Sequence, residues 1–225
     1  MVASELFTNE DRAAIAQAVA QAEKKTSGEI VPVVAVSSDR YERAEDTFGL
    51  WMALVAVSAV WLTLQGIRPA TGDWEDGWEL AINLLPILGL LAGGWLVGIR
   101  LAGRFPALKR LAASKASMRA RVEQRAGQAF VRFRAGRTRD GTGVVLYVSL
   151  FERMVCVRAD RGLSSKIDPS EWKAICEGMM TALREGKRRE AFTVAIAKCG
   201  ELLAKHSPIR PDDKNELSNE LRILE

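Results

Sequence analysis

The sequence predicts an α/β (α+β) soluble domain, a small mixed sheet flanked by helices, interrupted by a two-helix transmembrane hairpin. Three observations predict it. Two uncharged stretches of membrane-spanning length stand near the middle of the 225 residues. One β-branched apolar run precedes them and two follow. Segments of helical periodicity separate these runs, and the lone first strand has no partner unless it joins the later two.

The elements follow in order. Thr8, with Asp11 three residues on, has the form of a capping box opening a helix. Ile15, Val19 and Ala22 recur at helical spacing, and Gly28 stands where a helix end favours a left-handed residue. Glu29 to Ser37, EIVPVVAVS, reads as a buried strand, with Pro32 confined to an edge or an unpaired position. The segment from Met1 to Ala22 is interrupted by Glu5, Glu10, Asp11 and Arg12 and does not resemble a secretory signal, so the first hydrophobic helix itself is expected to direct insertion.

Mean hydropathy is −0.01 and charged residues make up 27% of the chain, averages that conceal its segregation. Phe48–Ile67 and Leu80–Ile99 contain no charge. At ~1.5 Å per residue, about 20 residues cover the ~30 Å hydrocarbon core. Arg40 and Arg43 precede the first span, and Arg100, Arg104, Lys109 and Arg110 follow the second. The connecting loop, 68–79, opposes Arg68 with Asp73, Glu75, Asp76 and Glu79. This asymmetry predicts a multi-pass protein of the cell (inner) membrane with both termini cytoplasmic and the acidic loop outside. Trp51, Trp61, Trp74, Trp78 and Trp95 cluster in or beside the hairpin, as interfacial indoles do.

Gly89 and Gly93, then Gly94 and Gly98, form two small-xxx-small spacings in the second span. They fit close packing against Ala53, Ala56 and Ala59 of the first span, or the pairing of two copies in a homodimer. Pro86 is expected to kink this helix. Neither span contains an ionisable residue, which argues against a pore, an ion path or a proton relay.

Beyond the hairpin, Pro106 is placed to open one long helix reaching about Ala135, its apolar face carried by Leu108, Leu111, Met118, Val122, Ala129, Phe130 and Phe133. From Ala107 to Arg139 ten basic residues face only Glu123, whereas the whole chain carries +4. The basic surface is either a solvated face or a contact with anionic headgroups, with Arg100, Arg104, Lys109, Arg110 and Lys115 as the lipid-facing set, each worth ~1 kcal/mol near such a surface. Nucleic acid is disfavoured, because interleaved stacking aromatics are missing. Gly141–Leu150 and Met154–Asp160 read as an antiparallel strand pair. Asp168, Pro169 and Glu171 then open a helix with Trp172, Ile175, Cys176, Met179 and Leu183 inward, and Gly186 ends it. A last helix buries Phe192, Ile196, Cys199 and Leu202. The expected divisions are 1–47 and 100–206 for the two parts of the soluble domain, 48–99 for the hairpin, and 207–225 for a polar, loosely held tail.

Three cysteines without a C-x-x-C spacing suit buried thiols and a reducing compartment, and a single histidine, His206, leaves little material for histidine-based metal sites or catalytic triads.

TSGEIVPVVAV at Thr26–Val36 and GTGVVLYVSLFERMVCVRADRGL at Gly141–Leu163 resemble the TPM domain family, the resemblance extending from about residue 5 to 206. That family includes thylakoid-lumen proteins linked to photosystem II repair and bacterial membrane-attached proteins. The resemblance implies the fold above, with a transmembrane pair inserted after the first strand. It also implies one of two roles, since some members are described as acid phosphatases or as binding calcium or magnesium, and others as assembly or repair factors. The longer acidic N-terminal segment of many members is missing here. The residues that can serve a hard cation are Asp39, Asp160 and Asp168, with Ser37 and Ser38 beside the first. The same residues also read as a strand-end turn, a turn and a helix N-cap. No P-loop, GxSxG or zinc pattern is present. The expectation is a non-enzymatic factor that binds a membrane or cytoplasmic protein, with a divalent-metal-dependent phosphatase as the alternative.

Overall fold

The computed structural model describes residues 6–39, 41–65 and 84–224, so Arg40 and the acidic loop with Trp74 and Trp78 lie outside the described residues. The elements are α1 (Asn9–Glu23), β1 (Glu29–Ala35), α2 (Glu42–Gln65), α3 (Leu84–Arg104), α4 (Pro106–Ala112), α5 (Lys115–Arg132), β2 (Gly143–Ser149), β3 (Met154–Ala159), α6 (Arg161–Ser164), α7 (Pro169–Arg184), α8 (Arg188–His206) and β4 (Arg222–Leu224). They form two compact units, one made of Met1–Asp39 with Ala116–Glu225 and the other of Arg40–Lys115.

In the first unit the strands form one mixed sheet in the order β3-β2-β1-β4. The strand before the insertion pairs in parallel with the first strand after it, from Glu29 opposite Gly143 to Ala35 opposite Ser149. β3 returns antiparallel to β2. Both central strands are buried along their whole length, as strands covered on both faces must be. Alternation along them divides the core in two. Ile30, Val34, Val144, Leu146 and Val148 pack with Ile15 and Val19 of α1, Ile175 and Met179 of α7, and Phe192 and Ile196 of α8. Val31, Val33, Val145 and Tyr147 pack with Val122, Ala126 and Ala129 of α5. The result is a sheet between two helical layers.

Three expectations are corrected. The tail is not loosely held, because residues 222–224 form β4, parallel to Val33–Ala35 of β1, and Leu221 and Leu224 are buried. Pro32 lies just before this paired stretch, where β1 has a strand on one side only. The long helix from Pro106 is two helices, since Ala113 adopts φ −80°, ψ 129° and ends α4. Leu111, assigned to its apolar face, is 71% exposed as a consequence. Gly28 is not left-handed; α1 ends in right-handed Lys24, and a Cβ at Gly28 would stand 3.0 Å from Leu203, so the glycine serves packing. The capping boundaries do match: Thr8 and Asp11 make the reciprocal box, and Gly186 follows α7 with φ 80°.

In the second unit, α2 and α3 meet along a seam of small residues. A Cβ at Gly94 would lie 2.8 Å from Ala53 Cα, and one at Gly98 would lie 2.6 Å from Gly49 Cα. Gly89 and Gly93 face nothing within 4 Å. The two glycine spacings are therefore separated: one closes the hairpin and the other is open. Ala59, expected in the seam, is exposed. Pro86 is the third described residue of α3, and the residues before Leu84, on which the expected kink depends, lie outside the described residues. Arg43–Thr63 and Pro86–Arg104 are long and apolar enough to cross a membrane, and only 11% of each such window is buried.

Candidate functional site

The candidate residues fall at opposite ends of the sheet. At the carboxyl ends of β1 and β2, Ser37, Ser38 and Asp39 leave the first strand beside the turn that links β2 to β3. That turn is tight, with Arg153 left-handed at φ 54°, and it brings Glu152 back over the strand ends. The backbone locks the arrangement: the amides of Leu150 and Phe151 donate to the carbonyls of Ala35 and Val36 at 3.0 and 2.9 Å.

Glu152 is 5% exposed and acts as a shared acceptor. The Ser38 amide donates to its Oε1 at 2.9 Å, the Ser37 hydroxyl reaches the same oxygen at 3.5 Å, and the Ser149 hydroxyl donates to Oε2. Ser38 Oγ in turn donates to Ser149 Oγ at 3.0 Å and lies 3.1 Å from the Tyr147 hydroxyl. Burial pushes the Tyr147 phenol above its ordinary range; the Ser38 hydrogen bond and Arg125 oppose this, and Glu152 adds to it. Asp39 is ion-paired to Arg121 Nε at 3.0 Å. Chemically this is a carboxylate buried within a hydroxyl and amide shell, arranged to hold two strand ends together.

Sequence reasoning found Ser37, Ser38 and Asp39 but missed Tyr147, Ser149, Glu152 and Arg121. The segment Phe151-Glu152-Arg153 reads as a simple link. The available signal is its acidic residue in a tight turn between two apolar strands, where a charge is retained only if it has buried work to do.

Asp160 lies at the far end. Ala159 at the end of β3 pairs with Val144 at the start of β2, whereas Ser149 pairs with Met154. At ~3.3 Å per residue this separates Asp160 from Asp39 by roughly 20 Å. Asp160 caps α6 by accepting from the Arg161 amide at 2.5 Å, and Asp168 caps α7 by accepting from the Ser170 amide at 2.7 Å. The hydrogen bonds from Ser170 hold the Asp168 carboxyl below its ordinary range. The three aspartates do not converge, and among the described residues no three His, Cys, Asp or Glu side chains do so as a metal site. A hard cation shared by Asp39, Asp160 and Asp168 does not fit this arrangement.

The thiols are poor nucleophiles. Burial pushes Cys199 up to about 12 and Cys156 to about 11, and also raises Cys176. Of the basic residues assigned to the lipid surface, Lys109 is spent on an ion pair with Glu45. Arg100, Arg104 and Lys115 are exposed, and Arg110 is half-buried.

The amino end of the sheet carries a second polar cluster. Glu29, 4% exposed, opens β1 and accepts from the tail amides of Glu216 and Leu217 at 3.1 and 3.3 Å. Glu23, in the last turn of α1, accepts from the Ile30 amide at 3.0 Å.

The sequence profile of the TPM domain matches residues 112–202. The match is narrower than the resemblance drawn from residues alone, which extends from about residue 5 to 206. The chain is similar in structure to the BA42 protein from the psychrophilic bacterium Bizionia argentinensis, solved by NMR, with a TM-score of 0.55, 18% identity, and coverage of 96% of this chain and 94% of that one. No curated protein matches the sequence. Residues 112–202 thus match the TPM domain, and the sheet they build is completed by β1 from before the insertion and β4 from the tail.

Proposed function

We propose that this chain is a membrane-anchored TPM-domain protein that binds another protein rather than transforming a small molecule. In this reading the hairpin spans the inner membrane, both termini are cytoplasmic, and Arg100, Arg104, Arg110 and Lys115 lie near the headgroups. The observation that carries the anchoring is the exposed apolar surface of α2 and α3, where Leu50, Leu54, Val55, Trp61, Leu62, Leu88, Trp95, Leu96 and Val97 all stand outward. Water is a poor solvent for such a surface, and lipid is a good one. The protein-binding role is supported by the polar side chains at the carboxyl ends of β1 and β2, which are committed to backbone amides and to one another. Photo-crosslinkers placed on α7 and α8 in native membranes are expected to give one reproducible protein adduct. Labelling no stronger than for a crosslinker on the buried face would refute the role. Cysteines placed at positions 70 and 215 test the topology: only the first is expected to react with an impermeant thiol reagent added from outside.

The TPM domain match supports a second reading, a calcium- or magnesium-dependent phosphatase, because family members are described as acid phosphatases. Asp39, Asp160 and Asp168 do not share a metal in it. Hydrolysis of a phosphate ester that requires added metal and is abolished by Asp160→Asn would support this reading with Asp160 as a ligand.

A further inference from the structure

The segment after α8 returns along the open edge of β1 and is fastened at four places. Ser207 and Pro208 bond to Thr26 and Ser27. Arg210 and Asp212 reach the loop before β2, bonding to Asp140 and Arg139 at 2.9 and 2.8 Å. Glu216 and Leu217 give their amides to Glu29. Residues 222–224 complete the sheet. Only the third fastening has a buried ionisable acceptor with like charges around it.

We propose that residues 207–224 are a proton-held strap, docked along β1 while the Glu23–Glu29 pair carries a proton and released from the Glu29 end as that proton is lost. Glu23 has one oxygen on the Ile30 amide, while Oε2 is buried without a hydrogen-bond partner among the described residues. β1 presents Glu29 to it, and the strap presents Asp213 and Asn219. Glu29 is itself faced by Glu216 and Asp213. α8 brings Gly200 against Ala22 and Leu203 against Gly28. Lys24 and Lys25 follow Glu23 in sequence but are exposed. The nearby loop cations are already engaged, Arg139 with Asp212 and Arg210 with Asp140. A proton is therefore the cation that reconciles these carboxyls. In agreement, burial pushes Glu23 up to about 8, with Glu29 and Asp213 adding to the rise and the Ile30 amide and Asn219 opposing it. Burial also raises Glu29.

The sign is fixed by linkage. With the strap released and Glu23 hydrated, the carboxyl ionises near its ordinary 4.5, whereas the docked state holds the proton to about 8. Docking is strongest below the lower value and weakens as pH rises to the upper one, by at most about tenfold per unit.

The test is hydrogen exchange on the full-length protein in nanodiscs from pH 5.5 to 8.5, with protection factors corrected for the intrinsic rate at each pH. The amides of Glu216 and Leu217 report the strap, and that of Val145 in β2 reports the domain. Expected is protection at 216 and 217 that falls by up to tenfold per pH unit while Val145 holds steady, with Glu23→Gln flattening the profile. A flat wild-type profile, a parallel loss at Val145, or an unchanged slope in E23Q would each overturn the proposal. The wild-type profile alone is decisive if the variant fails to fold.

Discussion

Replacing Glu152 by alanine tests whether the cluster at the carboxyl ends of β1 and β2 is a structural clamp. The substitution removes the acceptor of the Ser38 amide and the Ser149 hydroxyl, and leaves both donors in a region where Ser149 is fully buried. An unsatisfied buried donor costs about 1–3 kcal/mol, so the pair costs about 3 kcal/mol after the exposed part of Ser38 is discounted. For a unit of this size that corresponds to a fall in Tm of roughly 6–12 °C. Glu152→Gln keeps one acceptor oxygen and is expected to fall about half as far. The assay is thermal unfolding of the nanodisc-embedded protein followed by circular dichroism. A Tm within about 2 °C of wild type for E152A, or an equal loss for both variants, would refute the clamp.

Other sites give equally direct outcomes. Gly98→Val places a side chain where a Cβ would be 2.6 Å from Gly49 Cα, so the α2–α3 seam must open, whereas Gly89→Val meets nothing; the Tm of the nanodisc-embedded protein should fall in the first variant and hold in the second. If two copies pair, they do so through the open Gly89 and Gly93 face, and G89V should then abolish dimerisation measured by sedimentation in detergent while leaving that Tm unchanged. Thr8→Ala breaks the box that starts α1 and should cost about 1 kcal/mol in urea unfolding. With their thiols raised to about 11 and 12, Cys156 and Cys199 should alkylate at least 100-fold more slowly than a free cysteine at pH 7.5, and denaturant should erase the difference.

Periodicity made most of the fold legible. Ile15 and Val19 in α1, Ile175 and Met179 in α7, and Phe192 and Ile196 in α8 all sit in the core their spacing predicts, and the β1–β2 pairing follows because one buried strand cannot stand alone. Two things were not legible, for different reasons. β4 is three residues long, too short for alternation to register, and its burial depends on the β1 edge far away in sequence. The Glu152 cluster joins residues more than a hundred positions apart, so no local pattern contains it. Asp160 and Asp168 were legible as a pair of carboxylates, but their local context as helix caps is what the structure honours.

The clamp also explains how the domain tolerates an insertion between adjacent parallel strands. A parallel pair already needs a long crossover, and lengthening a loop adds only about 0.6 kcal/mol per doubling. Going from a dozen or so residues to the whole of 40–115 therefore costs the fold roughly 2 kcal/mol at most by loop entropy. The greater hazard is register. β1 enters the insertion at its carboxyl end, and a one-residue slip would exchange Val33 with Val34 between the two faces of the sheet. Glu152 is placed to prevent this: it is fixed to β2 by Ser149 and to the exit of β1 by the Ser38 amide, so any slip of β1 breaks a charge-assisted bond in a buried site. The same sheet without the insertion would have less need of such a residue at the turn, and grafting a flexible linker in place of residues 42–110 should accordingly make E152A less damaging than it is in the full chain.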